Sequence, residues 1–276
     1  MIWLLAAAAS AGSCAAGDLE ACAVDGGALL AEGKTAEALA ILEPACDLGG
    51  MLACYNLAAE HMRNGRVEDA LPHFERTCGA QLAIACADLG FIHATGAGVP
   101  RNPERGFELT EAGCQLGYAA ACGEAGSMMV SGYGTDKDEK QAFKYMTSAC
   151  LQRHASSCTK AAAMAEQGIG TEQDLDAAAA FYGSACDGAD GTGCVNLATL
   201  ENARERFDVA LIAASRGCEL GEGLACASVA MAHLRGRGAE EDRSKAKSFF
   251  EKACMAGYEN GCKAVTELGS APPPQP

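Results

Sequence analysis

Two residue types capable of metal, redox or acid–base chemistry recur along this chain: sixteen cysteines and five histidines. The cysteines form eight pairs, each eight residues apart. Cys14 pairs with Cys22, Cys46 with Cys54, Cys78 with Cys86 and Cys114 with Cys122. Further on, Cys150 pairs with Cys158, Cys186 with Cys194, Cys218 with Cys226 and Cys254 with Cys262. None is left over, and successive pairs begin 32 or 36 residues apart. Structural zinc prefers ligands about two to four residues apart. No Cys-x-x-Cys occurs, which also argues against a thioredoxin-like redox centre. Disulfides and buried free thiols are the other readings. On one continuous helix, cysteines eight apart would stand roughly 12 Å apart at a rise of about 1.5 Å per residue. A disulfide needs Cα atoms within about 7 Å, so the chain must reverse between them. Gly17, Gly49, Gly117, Gly221 and Gly257 each lie three residues after a first cysteine, where a left-handed helix cap favours glycine. At the other three joints, Gly79 and Gly188 are displaced and residues 151–157 hold no glycine. Each pair therefore reads as a tight helical hairpin stapled at its bend, worth roughly 2–3 kcal/mol and implying an oxidising compartment.

The elements that must carry these staples recur with them. A helical stretch follows each second cysteine, and a second helix ends at the next first cysteine. Eight residues before that cysteine stands a small residue, Ala38, Ala70, Gly106, Ala142, Ala178, Ala210 or Ala246, which lets helix axes approach closely. Leu42, Phe74, Met146, Tyr182 and Phe250, one turn before their cysteines, mark the inward stripe. Four units carry Gly-x-Gly, at Gly96 and Gly98, Gly132 and Gly134, Gly168 and Gly170, and Gly236 and Gly238. These read as helix terminators because no strand precedes them. The 32-residue units replace this insert with compact turns expected at Glu32-Gly33-Lys34, Asn64-Gly65-Arg66 and Glu201-Asn202-Ala203. The fold class expected is all-α, a solenoid of helical hairpins.

The stretches Leu89–Asn102 and His233–Ala253, with their Gly-x-Gly turns and the later Lys245-Ala246…Phe249-Phe250…Ala253, resemble Sel1-like repeats. With the staples added, the chain resembles the cysteine-rich Hcp-type members and is similar to the cysteine-rich Sel1-type assembly factor of mitochondrial cytochrome oxidase. The resemblance spans about residues 14–268. It implies a right-handed αα superhelix related to tetratricopeptide arrays, with about seven repeats over residues 12–268. It also brings in an alternative function, β-lactam binding or weak hydrolysis, and a more distant one, haem or metal handling.

Neither alternative finds firm chemistry in the residues. Ser157-Cys158-Thr159-Lys160 matches Ser-x-x-Lys, but the Ser-Asp-Asn and Lys-Thr-Gly partners of serine β-lactamases are missing, and Cys158 is itself a staple. No His-Glu-x-x-His, Gly-x-Ser-x-Gly or phosphate loop occurs. His61, His93 and His233 share one position, seven after a second cysteine. Neighbouring units stand about 10 Å apart, too far to share one ion with bonds of about 2 Å. The position reads as a half-buried aromatic site tolerating histidine; His73 and His154 recur at no offset. Glu240, Glu241 and Asp242 read as solvated. No catalytic residue, metal site or cofactor is expected, and the enzyme reading rests on family resemblance alone.

A binding surface remains. Positions five and eight after the second cysteine share a face of the first helices, and Met62, Phe91, Val130, Met231 and Leu234 are its apolar occupants. They are expected either to contact an extended segment of a protein or peptide partner or to pack helix on helix. The net charge of −15 makes nucleic acid and anionic membranes poor partners. Residues 1–11 read as a signal peptide cleaved before Gly12, although no basic residue follows Met1. That run is too short for a transmembrane helix. A lipid anchor at Cys14 is disfavoured, since acylation would orphan Cys22. A secreted or periplasmic protein is expected, ending in a disordered Pro-rich tail at residues 269–276.

Overall fold

In a computed structural model, Cys14 and residues 17–270 are described. They fall into two compact units, one ending at Asp138 and the other starting at Glu139. The first holds α1 (Leu19–Ala31), α2 (Thr35–Asp47), α3 (Met51–Arg63), α4 (Val67–Gly79), α5 (Ala83–Thr95), α6 (Pro103–Gln115) and α7 (Ala119–Ser131). The second holds α8 (Glu139–Leu151), α9 (Ala155–Gln167), α10 (Leu175–Asp187), α11 (Gly191–Ala203), α12 (Phe207–Glu219), α13 (Gly223–Arg235), α14 (Arg243–Met255) and α15 (Glu259–Ser270). No strand occurs among the described residues. The fold is an all-α solenoid built from short helical hairpins. The expected leader at residues 1–11 and tail residues 271–276 lie outside the described residues. Gly269 and Ser270, expected in that tail, still belong to α15.

Helix starts follow the chemistry of caps. Asp18, Asn102, Asp174, Asp190 and Asp242 each accept backbone N–H bonds from the first turn that they precede. All eight cysteine pairs are bridged, with Cα separations of 4.4–4.7 Å. In the first unit the bridges join Cys14 to Cys22, Cys46 to Cys54, Cys78 to Cys86 and Cys114 to Cys122. In the second they join Cys150 to Cys158, Cys186 to Cys194, Cys218 to Cys226 and Cys254 to Cys262. That spacing excludes a continuous helix through any pair. From the Cys46–Cys54 bridge onward, each links the end of one helix to the first turn of the next, across a short bend. No cysteine among them is a free thiol, so the buried-thiol alternative does not hold.

The bend has one conformation at every joint. The third residue after the first cysteine is left-handed even where glycine is lacking: Gln81 (φ 65°), Arg153 (φ 64°) and Ala189 (φ 61°) take the place of Gly17 and its equivalents. The missing glycines thus mark strained copies of the same turn. The third compact turn falls later than expected. Glu201–Ala203 is the last turn of α11, and the left-handed residue is Glu205 (φ 58°), in register with Gly33 and Gly65.

Small residues at helix contacts do what their size suggests. Ala38, Ala70, Ala142, Ala178 and Ala246 are fully buried and Ala210 nearly so, while a Cβ on Gly106 would stand 2.7 Å from the Ala94 Cα. Leu42, Phe74, Met146, Tyr182 and Phe250 line the cores as expected. The Gly-x-Gly turns have a division of labour that the pattern alone did not reveal. Their first glycine is the left-handed cap of α5, α7, α9 or α13. The second lies against the start of an earlier helix. After α9, a Cβ on Gly170 would stand 2.0 Å from the Glu139 carbonyl oxygen; after α13, one on Gly238 would stand 2.4 Å from that of Phe207. The insert is therefore both a stop and a spacer. It holds each loop on the first residue of the helix beneath it.

Candidate partner-binding face

The five residues expected to form an apolar face lie on α3, α5, α7 and α13. In the first unit, Met62 on α3 and Val130 on α7 are half-buried, whereas Phe91 on α5 is 58% exposed. Met62 packs on the core around Tyr55 and Phe74. In the second unit, Met231 and Leu234 on α13 are half-buried against the core containing Phe250. The half-buried residues therefore serve the interior with one side, and Phe91 in particular keeps a large apolar surface in water.

Met231 lines a half-open groove of about 320 Å³. Asn202, Phe207, Leu224, Ser228, Arg235, Arg237 and Tyr258 share its walls, and no carboxylate does. The loop geometry explains how the arginines come there. Gly236 caps α13 with φ 62°, Gly238 rests on the Phe207 backbone, and Arg237 between them lies 5.3 Å from the centroid of the Phe207 ring. Neighbouring arginines are neutralised instead. Buried Glu201 binds Arg204 at 3.2 Å and Arg206 at 2.6 Å, and both arginines reach Asp176. Arg216 pairs with Asp187 at 3.0 Å. Arg235 and Arg237 make no ion pair among the described residues. Sequence reasoning missed this groove; the signal was Arg235-Gly236-Arg237, where the other Gly-x-Gly turns read Thr95-Gly96-Ala97, Ser131-Gly132-Tyr133 and Gln167-Gly168-Ile169.

The histidines do not gather into one site. His233 stacks on Phe249, with its Nδ1 3.2 Å from the Glu240 carbonyl oxygen. His61 is buried and stacks on His73 at 6.0 Å. Burial holds the His61 and His73 imidazoles below the usual histidine range, with Arg66 adding to the effect at His61 and Arg76 at His73. His73 Nδ1 lies 3.6 Å from Cys46 Sγ, where the ligand atoms of Cys46, Cys54 and His73 converge. Both sulfurs belong to the Cys46–Cys54 bridge, so neither is a thiolate available to an ion while it is closed.

Ser157 of the Ser-x-x-Lys match is 1% exposed, and its hydroxyl lies 2.7 Å from His154 Nδ1 at the start of α9. Asp242, expected to be solvated, caps α14 by accepting from the Lys245 N–H. A buried acid–phenol pair also escaped the sequence reading. The Tyr55 hydroxyl donates to Asp88 at 2.9 Å, and burial pushes the Asp88 carboxyl up to about 6.

This geometry defines a class, the disulfide-stapled helical repeat protein. The Sel1 repeat model matches residues 83–118, 119–154, 155–190 and 223–258, just over half of the chain. The chain belongs to the Sel1 repeat family. The unmatched stretches between and before these include the three 32-residue units that lack Gly-x-Gly. No curated protein matches the chain at a significant level. Among solved structures, it is similar to a Sel1 repeat protein from Oxalobacter formigenes, at 21% identity and a TM-score of 0.72 over 80% of this chain and 94% of that one. It is also similar to c5321, a protective antigen of uropathogenic Escherichia coli with an SLR fold, at 19% identity and a TM-score of 0.79. That match covers 92% of this chain and 57% of the antigen. At these identities the likeness is one of fold.

Proposed function

We propose that the protein is an extracytoplasmic scaffold that binds a protein or peptide partner through the exposed side of its first helices, without chemistry of its own. The observation that carries this reading is Phe91. Phe91, 58% exposed, is an aromatic on the first-helix face, the residue type that most often anchors an interface, and Met231 beside the arginine-lined groove offers a second anchor. Sel1 repeats are built as partner-binding solenoids, and stapled bends hold such a surface in one shape before binding, which lowers the entropic cost of association. Eight bridges and no free cysteine support an oxidising compartment. No helix among the described residues is long and apolar enough to cross a membrane. The test is partner capture from extracts of the source organism: Phe91→Glu or Met231→Glu lowers recovery at least tenfold, and recovery unchanged in both would remove the assignment.

The His154–Ser157 contact favours one alternative, β-lactam hydrolysis at Ser157. A nucleophile must be reached by substrate, however, and this hydroxyl is enclosed at the start of α9. Purified protein is expected to leave nitrocefin intact. Turnover that vanished in Ser157→Ala would reverse the preference.

A further inference from the structure

We propose that the groove between the α11–α12 turn and α13 takes the free C-terminal carboxylate of a partner polypeptide whose last residue is apolar. The inference rests on the scaffold reading above and names the chemistry that one part of the surface recognises. Three independent observations converge there. The chain holds 36 acidic against 21 basic residues, yet this groove is lined by two guanidiniums and no acid. Arg235 and Arg237 make no ion pair among the described residues, as Arg153 and Arg243 make none, whereas Arg204, Arg206 and Arg216, the other arginines of this unit, are paired. The two charges also depart from the repeat, since none of the other three Gly-x-Gly turns carries a charge at either position.

The shape then narrows the ligand. Leu224, 44% exposed, and half-buried Met231 form an apolar wall beside the guanidiniums. A half-open groove of about 320 Å³ is at the small end for a bound group and takes one terminal residue readily. The ligand must therefore present an anion and an apolar group on the same residue. A chain terminus does so: its carboxylate sits on the Cα that bears the side chain, and guanidinium binds carboxylate through paired N–H donors. An internal Asp or Glu carries its charge at the far end of the side chain, where the apolar group is needed. Docking of Gly238 on the Phe207 backbone fixes Arg237 before binding, so the charge is presented without rearrangement.

Fluorescence anisotropy with dye-labelled hexapeptide pools tests this directly. One pool is random at five positions and ends in leucine with a free carboxylate; the second is identical but ends in leucine amide. The free-carboxylate pool is expected to bind saturably and more weakly as salt rises. The amide pool should bind at least tenfold more weakly, and the Arg235→Gln/Arg237→Gln variant should lose at least tenfold for the first pool while keeping its thermal melt. Equal binding of the two pools, no saturable binding of either, or an unaffected double variant would overturn the proposal. If the pools fail while Met231→Glu still abolishes partner capture, the carboxylate inference falls and the scaffold stands. If Met231→Glu and Phe91→Glu both leave capture intact, the scaffold reading falls as well.

Discussion

Asp88 shows how single residues set the energetics of this fold. Its carboxyl is raised from 3.8 to about 6, first by burial, with the Tyr55 hydroxyl bond pulling the other way. The native state thus holds a proton that the unfolded chain releases between these values. Stability is fully present below pH 3.8 and falls as pH rises through 6. Asp88→Asn keeps an acceptor for Tyr55 and removes the cost of burying charge. It should stabilise the protein by up to about 3 kcal/mol at pH 7 and flatten urea-unfolding stability between pH 4 and 7. His61 and His73 act in the opposite sense. Both are lowered, so their neutral forms favour the fold and stability is lost as pH falls below 6.5. Replacing His73 with Gln should reduce the drop in stability from pH 7 to pH 5, read by the same titration. At the bends, Ala189 holds φ 61° without glycine's freedom. Ala189→Gly is expected to raise stability by about 0.5–1 kcal/mol, after the added entropy of the unfolded chain.

Between helices, the Gly-x-Gly insert couples the end of one element to the start of another. Two glycines separate the contributions. Gly221 has φ 90° with nothing within 4 Å of a Cβ, so Gly221→Ala carries only the backbone penalty, about 1 kcal/mol. Gly170 has φ 69° and a carbonyl oxygen 2.0 Å from the same point. Gly170→Ala must also push α8 and the loop apart, and should cost well over about 2 kcal/mol; paired urea melts of the two variants read the difference. This level also shows what the sequence made legible. Helix ends, the small-residue contacts and the inward stripe were readable because each recurs at a fixed offset from a cysteine. The Asp88–Tyr55 pair was not, since it joins residues 33 apart with no repeating counterpart. The turn after α11 was misplaced by a few residues because Glu205 occupies a glycine position, hiding the register.

Across the whole chain, cysteine spacing made the architecture readable before any other feature, because a bridge between residues eight apart admits only a reversal of the chain. The binding surface was only partly readable. Phe91 and Met231 emerged from periodicity, but the groove depends on a loop resting on an earlier helix, and its arginines matter because no carboxylate lines the groove with them, a fact of space. The bridges close short loops, each worth roughly 2–3 kcal/mol, so reduction should lower the melting temperature by more than about 15 °C and abolish binding at the pre-shaped face. Counting thiols in unreduced, denatured protein tests the central claim most directly. Closure at every bend, from Cys14–Cys22 to Cys254–Cys262, predicts essentially no thiol reacting with Ellman's reagent, whereas a value near sixteen would contradict the account.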